Sequence, residues 1–386
     1  MSEEIERIVK DELENGNLAG VSIYVVKEGK EIFSKQFGYS NLEEKIEIKR
    51  DTIFSVYSMT KPITAAATMI CIEGGLFSLD TPVSKFLDGF KNQKVLRNGN
   101  LEEVKREVLI KDLLTMTSGV AYPSDSEVGL QINAIVNEAI EKEVMGIPLS
   151  TVELCNKLGQ VPLEFQPGEK WAYGFSADIL GAVIEVATGK KYRDFLRDEI
   201  FIPLEMIDTD FYVPEEKWNR FAKVYEYFEE EPKLRPYKGY NLAIMRQNKL
   251  PGFESGGAGL VSTYDDYLHF DTMLINEGVY KNNRILSKES IEFMRTNHLN
   301  EEQLKTYDWE ILNGYGYGTL VKVLKDKKLA ITPGEVGTFG WGGWAGTESI
   351  IDLENNLIIL YFIQRINKDD KVEIEIRNHI YKTYFN

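Results

Sequence analysis

Ser58-Met59-Thr60-Lys61 places a hydroxyl and an amine three residues apart. Asp51 to Tyr57 reads as an extended approach and Pro62 to Ile70 as a helix, so Ser58 stands at or near a helix N-terminus. Pro62 is tolerated there because it falls in the first turn. Lys61 then shares a helical face with Ser58, within reach of its oxygen. A serine hydroxyl is a weak nucleophile until a neighbouring base takes its proton, and serine–lysine pairs are one way to arrange this. Alone the tetrapeptide is a weak signal, because about one Ser-x-x-Lys arises by chance in a chain this rich in Ser and Lys. The alternative is an N-capping Ser58 and a solvated Lys61.

Two further segments carry matching chemistry. Pro167-Gly168 marks a turn and an amphipathic helix begins near Ser176, which leaves Tyr173 in the loop ahead of that helix. A phenol beside an ammonium can serve as a base, since positive charge favours the phenolate. Against this, the chain has 20 Tyr, and a packing role is the plain alternative. Gly337 to Thr347 alternates glycines with Phe339, Trp341 and Trp344 just before a strand. Such a segment allows close backbone approach by a ligand. As an edge strand it could offer an N–H to a developing oxyanion, together with the N–H of Ser58; as a tight turn or bulge it would be structural.

The remaining residues narrow the field. His269 lies in a helical stretch, and His298 and His379 lie in polar segments expected to be exposed, so each is read as structural. No Gly-x-Ser-x-Gly elbow occurs, which argues against a histidine-based triad. Cys71 and Cys155 sit in apolar helical runs and are expected to be buried thiols. No metal-ligand cluster or cofactor motif is visible. The net charge of −16 argues against nucleic-acid or anionic-membrane partners. No apolar run approaches the roughly 18 residues that span a bilayer. The acidic N-terminus, Met1 to Arg7, does not read as a signal peptide, and a cytoplasmic location is expected.

The elements that must position these residues divide in two. Glu3 to Glu14 reads as a helix, followed by strands Val21–Val26 and Glu31–Phe37 around the turn Lys27-Glu28-Gly29-Lys30. The other end mirrors this, with strands at Leu329–Ile331, Ser349–Asp352 and Leu357–Phe362 and a helix over Val372–Tyr384. One antiparallel sheet built from both chain ends follows, an α+β fold. Between them Leu109–Met116, Leu130–Glu143, Thr151–Leu158 and Ala177–Thr188 carry the helical period. Phe201 to Gly252 is irregular. The expected division is residues 1–75 with 253–386 as the sheet region and 76–252 as a mostly helical region, with a cleft at their interface.

Taken together, these segments resemble the serine β-lactamase and penicillin-binding-protein superfamily over nearly the whole chain, in its class C-like branch. Ser58 to Lys61 matches the nucleophile motif, Tyr173 the tyrosine of the second motif, and Trp341-Gly342-Gly343 the third, where lactamases carry Lys-Thr-Gly. Asp112 to Gly119, Ser255 to Thr263 and Gly314 to Gly318 also look familiar. The resemblance implies a β-lactamase/transpeptidase-like fold with the active site between sheet and helical region. It implies catalysis by Ser58, Lys61 and Tyr173, with Trp341, Gly342, Gly343 and Trp344 binding substrate. The oxyanion hole would be the N–H groups of Ser58 and Trp344. Two departures redirect the substrate. Phe175 stands where a lactamase is expected to have Asn, and Trp341 where it is expected to have a cation for the substrate carboxylate. Sites built to hydrogen-bond a group lose much when the partner is gone. The pattern is similar to the β-lactamase-like (family VIII) esterases, which implies small acyl esters as substrates. A class C-type β-lactamase or D-alanyl-D-alanine carboxypeptidase, an acyltransferase and an inactive relative remain the alternatives. Trp171, Trp341, Trp344, Tyr315 and Tyr317 suggest an aromatic-lined cleft. Nothing in the sequence sets an oligomeric state.

Overall fold

The structure, a computed structural model, describes residues 2–228, 233–239, 247–367 and 370–385. Parts of the irregular stretch, 229–232 and 240–246, and Met1 of the acidic N-terminus lie outside the described residues.

Helix α1 (Ser2–Glu14) leads into β1 (Gly20–Lys27), β2 (Lys30–Asn41) and the short β3 (Ile46–Glu47). The C-terminal part adds β4 (Tyr315–Tyr317), β5 (Lys322–Leu324), β6 (Phe339–Gly342), β7 (Thr347–Asp352) and β8 (Leu357–Phe362). These form one eight-stranded sheet in the order β4-β5-β6-β7-β8-β1-β2-β3. The two chain ends meet at β1 and β8, antiparallel from Ser22 opposite Phe362 to Lys27 opposite Leu357. Alternate residues of these strands serve different cores. Val21, Ile23 and Val25 pack with Ile359 and Tyr361 against Ile5, Ile8 and Val9 of α1 and Ile376 and Ile380 of the terminal helix, Lys371–Phe385. Tyr24, Val26, Ile358 and Leu360 join the larger core that holds the helices of the middle of the chain. Both faces are covered, which is why Leu357–Phe362 is an unbroken apolar run rather than an alternating one.

The middle of the chain supplies α2 (Thr60–Glu73), α3 (Ile110–Leu114), α4 (Glu127–Val144), α5 (Thr151–Gly159) and α6 (Ser176–Thr188). Helix α7 (Tyr264–Ile275) follows, and the terminal helix is α8. Ser150 and Glu153 close a capping box on α5, and Gly189 in the left-handed region ends α6. The mixed α/β architecture with its large antiparallel sheet is the expected fold class. One strand expectation fails. Leu329–Ile331 is a turn in which Leu329 and Ile331 are exposed and only Ala330 touches the core, because the charged Lys325–Lys328 stretch reverses the chain there. The strands that do fill that side of the sheet, β4, β5 and β6, are three or four residues long, and β4 and β6 carry glycine, which hides them from period and propensity. Among the described residues no helix is long and apolar enough to cross a membrane.

Candidate active site

Phe54–Ser55 pairs with Val261–Ser262, so the chain does approach in extended form, and then tightens into a single 3-10 turn, Tyr57–Met59, before α2 begins. Tyr57 takes φ +43°, a costly conformation for a bulky residue that persists where the surroundings fix it. Here they do. Val56 N–H donates to Leu260 O, Leu260 N–H donates to Thr60 Oγ1, and the Tyr267 hydroxyl of α7 donates to Met59 O. Ser58 and Lys61 are both buried, and Lys61 Nζ lies 3.2 Å from Ser58 Oγ.

Lys61 has two other oxygen partners, Gly257 O at 2.8 Å and the Tyr122 hydroxyl at 3.2 Å. These use all three ammonium donors. The carbonyl can only accept, whereas Ser58 and Tyr122 can also give a proton. A neutral Lys61 can therefore keep its bond to Gly257, donate to one hydroxyl and accept from the other. The Gly257 carbonyl is held in turn by Asp178 of α6, whose Oδ1 accepts from Ser255 Oγ at 2.5 Å and from Gly257 N–H at 3.1 Å. Burial pushes the Asp178 carboxyl upward, and the nearby Lys61 charge and these hydrogen bonds pull it back. Ser255 to Thr263, a stretch with no role assigned from sequence, thus forms the floor under the lysine.

Tyr173 sits in the loop ahead of α6, as expected, with its ring under the amine: Lys61 Nζ is 4.4 Å from the ring centroid. Its oxygen accepts a 3.0 Å hydrogen bond from Trp341 Nε1. Trp341 therefore spends its indole N–H on the tyrosine. Phe175 is fully buried, edge-on to Tyr122 at 4.6 Å, and presents nothing to the cavity.

The segment after β6 reaches the serine. Strand β6 is the third strand of the sheet rather than an edge, but β5 pairs only with Phe339 and Gly340, so beyond Gly340 one side of β6 is locally an edge. Gly343 allows the closest approach, since a Cβ there would stand 2.5 Å from Val56 O and 2.2 Å from Thr347 Oγ1. Gly343 N–H donates to Thr347 O, and Thr347 Oγ1 donates to Val56 O, which ties this turn to the one carrying Ser58. Trp344 follows, its ring edge-on to Tyr57.

These residues share one cavity of about 290 Å3, lined by Ser58, Tyr173, Trp309, Trp341, Gly342, Gly343 and Trp344 among others. Larger depressions of about 410 and 510 Å3 hold neither Ser58 nor Tyr173. The aromatic cleft differs from expectation in its members. Trp341 and Trp344 line it, but Trp171, Tyr315 and Tyr317 are buried behind it as core, and Trp309 takes their place. Sequence gave no signal for Trp309. It also missed Tyr122, three residues past the familiar Asp112–Gly119 stretch and 61 residues from Lys61. None of the three histidines lines the cavity. His298 and His379 are half-buried rather than exposed: His298 Nε2 folds back to meet Phe293 O at 2.8 Å, and His379 sits on α8, which packs against α1. Cys71 and Cys155 are free and buried.

A family model described as Beta-lactamase matches residues 5–381. The chain belongs to the β-lactamase family. Within it, the chain is 31% identical over 369 residues to Protein Rv1367c of Mycobacterium tuberculosis (strain ATCC 25618 / H37Rv), covering 92% of this chain and 88% of that protein. It is 28% identical over 368 residues to Esterase EstB of Burkholderia gladioli, with the same coverage. Among solved structures, EstCE1, described as a hydrolase with promiscuous acyltransferase activity, superimposes with a TM-score of 0.85 at 24% identity over 98% of both chains. A penicillin-binding protein homologue from Pyrococcus abyssi gives 0.73 at 23%, covering 99% of this chain and 77% of that one. Family membership makes this protein a serine hydrolase by class, and the likeness to the two solved structures concerns the fold.

Proposed function

We propose that the protein is a carboxylesterase that works through an acyl-enzyme on Ser58. The observation that carries this is the Lys61 amine, 3.2 Å from Ser58 Oγ, in a cavity shared with Tyr173 and Trp341. Ser58 Oγ attacks the ester carbonyl while its proton passes to Lys61, which stays anchored on Gly257 O. The N–H groups of Ser58 and Trp344 receive the oxyanion; Ser58 lies in the first turn, where N–H groups have no partner within the helix. The alcohol leaves with a proton from the Lys61–Tyr173 pair. Water then attacks the acyl-enzyme with Tyr173 as its base, its oxygen steadied by the Trp341 N–H. The two groups act as one coupled unit.

Ester over lactam is supported by what the cavity lacks. Phe175 is withdrawn into the core, and Trp341 puts an apolar face and a committed N–H where a lactamase is expected to hold a cation. A second reading, transfer of the acyl group to an alcohol in place of water, draws support from the half-exposed Trp309 and Trp344, which give an apolar acceptor a surface to rest on. Turnover of p-nitrophenyl butyrate is expected to exceed that of nitrocefin by orders of magnitude. A preference for nitrocefin would reverse the assignment, and faster p-nitrophenol release on adding butanol would mark the transferase.

A further inference from the structure

The cavity does not stop at its aromatic wall. It is also lined by Lys322, Glu348 and Asp370. In the sheet, Glu348 of β7 lies opposite Gly342 and Lys322 of β5 lies opposite Gly340. Ile350, the next residue on the Glu348 face of β7, packs with Ile376 and Ile380 of α8. This end of the cavity has therefore turned around the end of β6, onto the sheet face that carries the terminal helices. The glycines make the passage. A Cβ at position 342 would stand 2.1 Å from Glu348 Oε2, and past Gly340 strand β6 has no β5 partner to close the gap.

At that end Lys322 Nζ lies 2.8 Å from Glu348 Oε1, with the two side chains only 10% and 14% exposed. Burial pulls the Lys322 ammonium downward, but Glu348, Tyr315 and Glu373 outweigh it and hold it above its ordinary value, so the lysine is charged. Taking two charges out of water is costly, and apolar side chains of similar size serve packing as well or better. An ion pair kept at the far end of a cavity whose apolar wall includes Trp309, Ile311, Leu312 and Trp341 calls for a reason other than packing.

We propose that the substrate carries an apolar arm ending in a neutral hydrogen-bonding group, such as an amide, and that the Lys322–Glu348 pair reads that group. The proposal rests on the hydrolase reading of Ser58. The pair offers donors on Lys322 and an acceptor at Glu348 Oε2, and an amide satisfies both. A carboxylate-ended arm meets Glu348 and Asp370, and an ammonium-ended arm meets Lys322. Sites that hydrogen-bond a substrate group discriminate strongly against analogues without it.

The test compares p-nitrophenyl esters of one acyl length that end in a primary amide, an isosteric alkyl group, a carboxylate or an ammonium. Butyrate esters of alcohols with the same four ends place the arm on the leaving side. On one of the two sides the amide is expected to exceed the alkyl analogue at least tenfold in kcat/KM, and that side is where the arm binds. The joint replacement Lys322→Met with Glu348→Leu is expected to invert the order. Equal rates for amide and alkyl on both sides, a winning charged end, or a double variant that keeps the amide preference would overturn the proposal. The wild-type comparison stands whether or not the variant folds. Fluorophosphonate labelling of wild-type Ser58 is scored separately. A failed label removes the hydrolase reading itself, whereas labelling with flat selectivity removes only the arm.

Discussion

Replacing Trp341 by Phe deletes one hydrogen bond and keeps most of an aromatic wall. The indole N–H donates to the Tyr173 oxygen at 3.0 Å, and Trp341 is only 4% exposed, so water does not readily replace the lost donor. To a neutral phenol such a bond is worth about 1 kcal/mol net. When the tyrosine passes its proton to Lys61 ahead of taking one from the attacking water, its oxygen carries negative charge, and charge-assisted bonds are roughly twice as strong or more, about 2–3 kcal/mol. Only the difference, ~1–2 kcal/mol, accelerates the reaction, which converts to a loss of about 5- to 30-fold in rate. Steady-state kinetics on p-nitrophenyl butyrate should show that loss in kcat, with thermal melting run alongside to separate it from a packing defect. The decisive control is a cycle with Tyr173→Phe. If the indole acts through the phenol oxygen, the double variant is no slower than Tyr173→Phe alone. A Trp341→Phe enzyme within twofold of wild type, or losses that multiply in the double variant, would refute the reasoning.

Other outcomes follow from single residues. Lys61→Met removes the base beside Ser58 and should lower kcat/KM about 10²- to 10⁴-fold, the usual worth of a positioned proton acceptor, with residual activity above about one tenth of wild type counting against it. Glu254, held by the Arg193 N–H at 2.7 Å, is lifted by burial from its ordinary 4.5 to about 7. Its folded form favours the proton, so its contribution is full below pH 4.5 and is lost as pH rises to 7, on the order of 3 kcal/mol. Glu254→Gln should therefore flatten that part of the stability profile in urea melts and gain stability at pH 8; an unchanged profile rejects the assignment. Asp271 of α7 is fully buried with Ser349 Oγ, at 2.7 Å, as its one hydrogen-bond partner among the described residues, and burial drives its carboxyl well upward. Burial disfavours its charged form, so its contribution to stability is full at low pH and falls as pH rises through the carboxyl range. Asp271→Asn should recover part of that loss at neutral pH and none at pH 3, and equal shifts at both would show that charge is not the cause.

What could be read in the sequence tracks how local the physics is. Ser58 and Lys61 were visible because one helical turn joins them, and Tyr173 because a Pro-Gly turn and the start of α6 bracket it. The terminal helices were visible through their helical period, β1 and β8 through apolar runs, and β2 and β7 through short strand-like stretches beside turns. Strand β6 was ambiguous, since Gly340 and Gly342 remove the side chains that would mark a strand; the β7 backbone crowds Gly340, whereas Gly342 lines the cavity. Tyr122, Asp178 and Gly257 were out of reach because their roles exist only through contacts across 61 to 196 residues of chain. The aromatic wall was misassigned for the same reason. Composition shows that Trp171 and Trp309 are aromatic, but only packing shows that Trp171 is core and Trp309 is wall.

The central claim is that Ser58 becomes acylated. Intact-mass spectrometry after brief exposure to a slowly deacylating activated ester, followed by peptide mapping, measures this directly. One added acyl group is expected on the wild-type chain, located on the peptide containing Ser58 and absent from Ser58→Ala. An unmodified wild-type protein, or an equal adduct on Ser58→Ala, would contradict it.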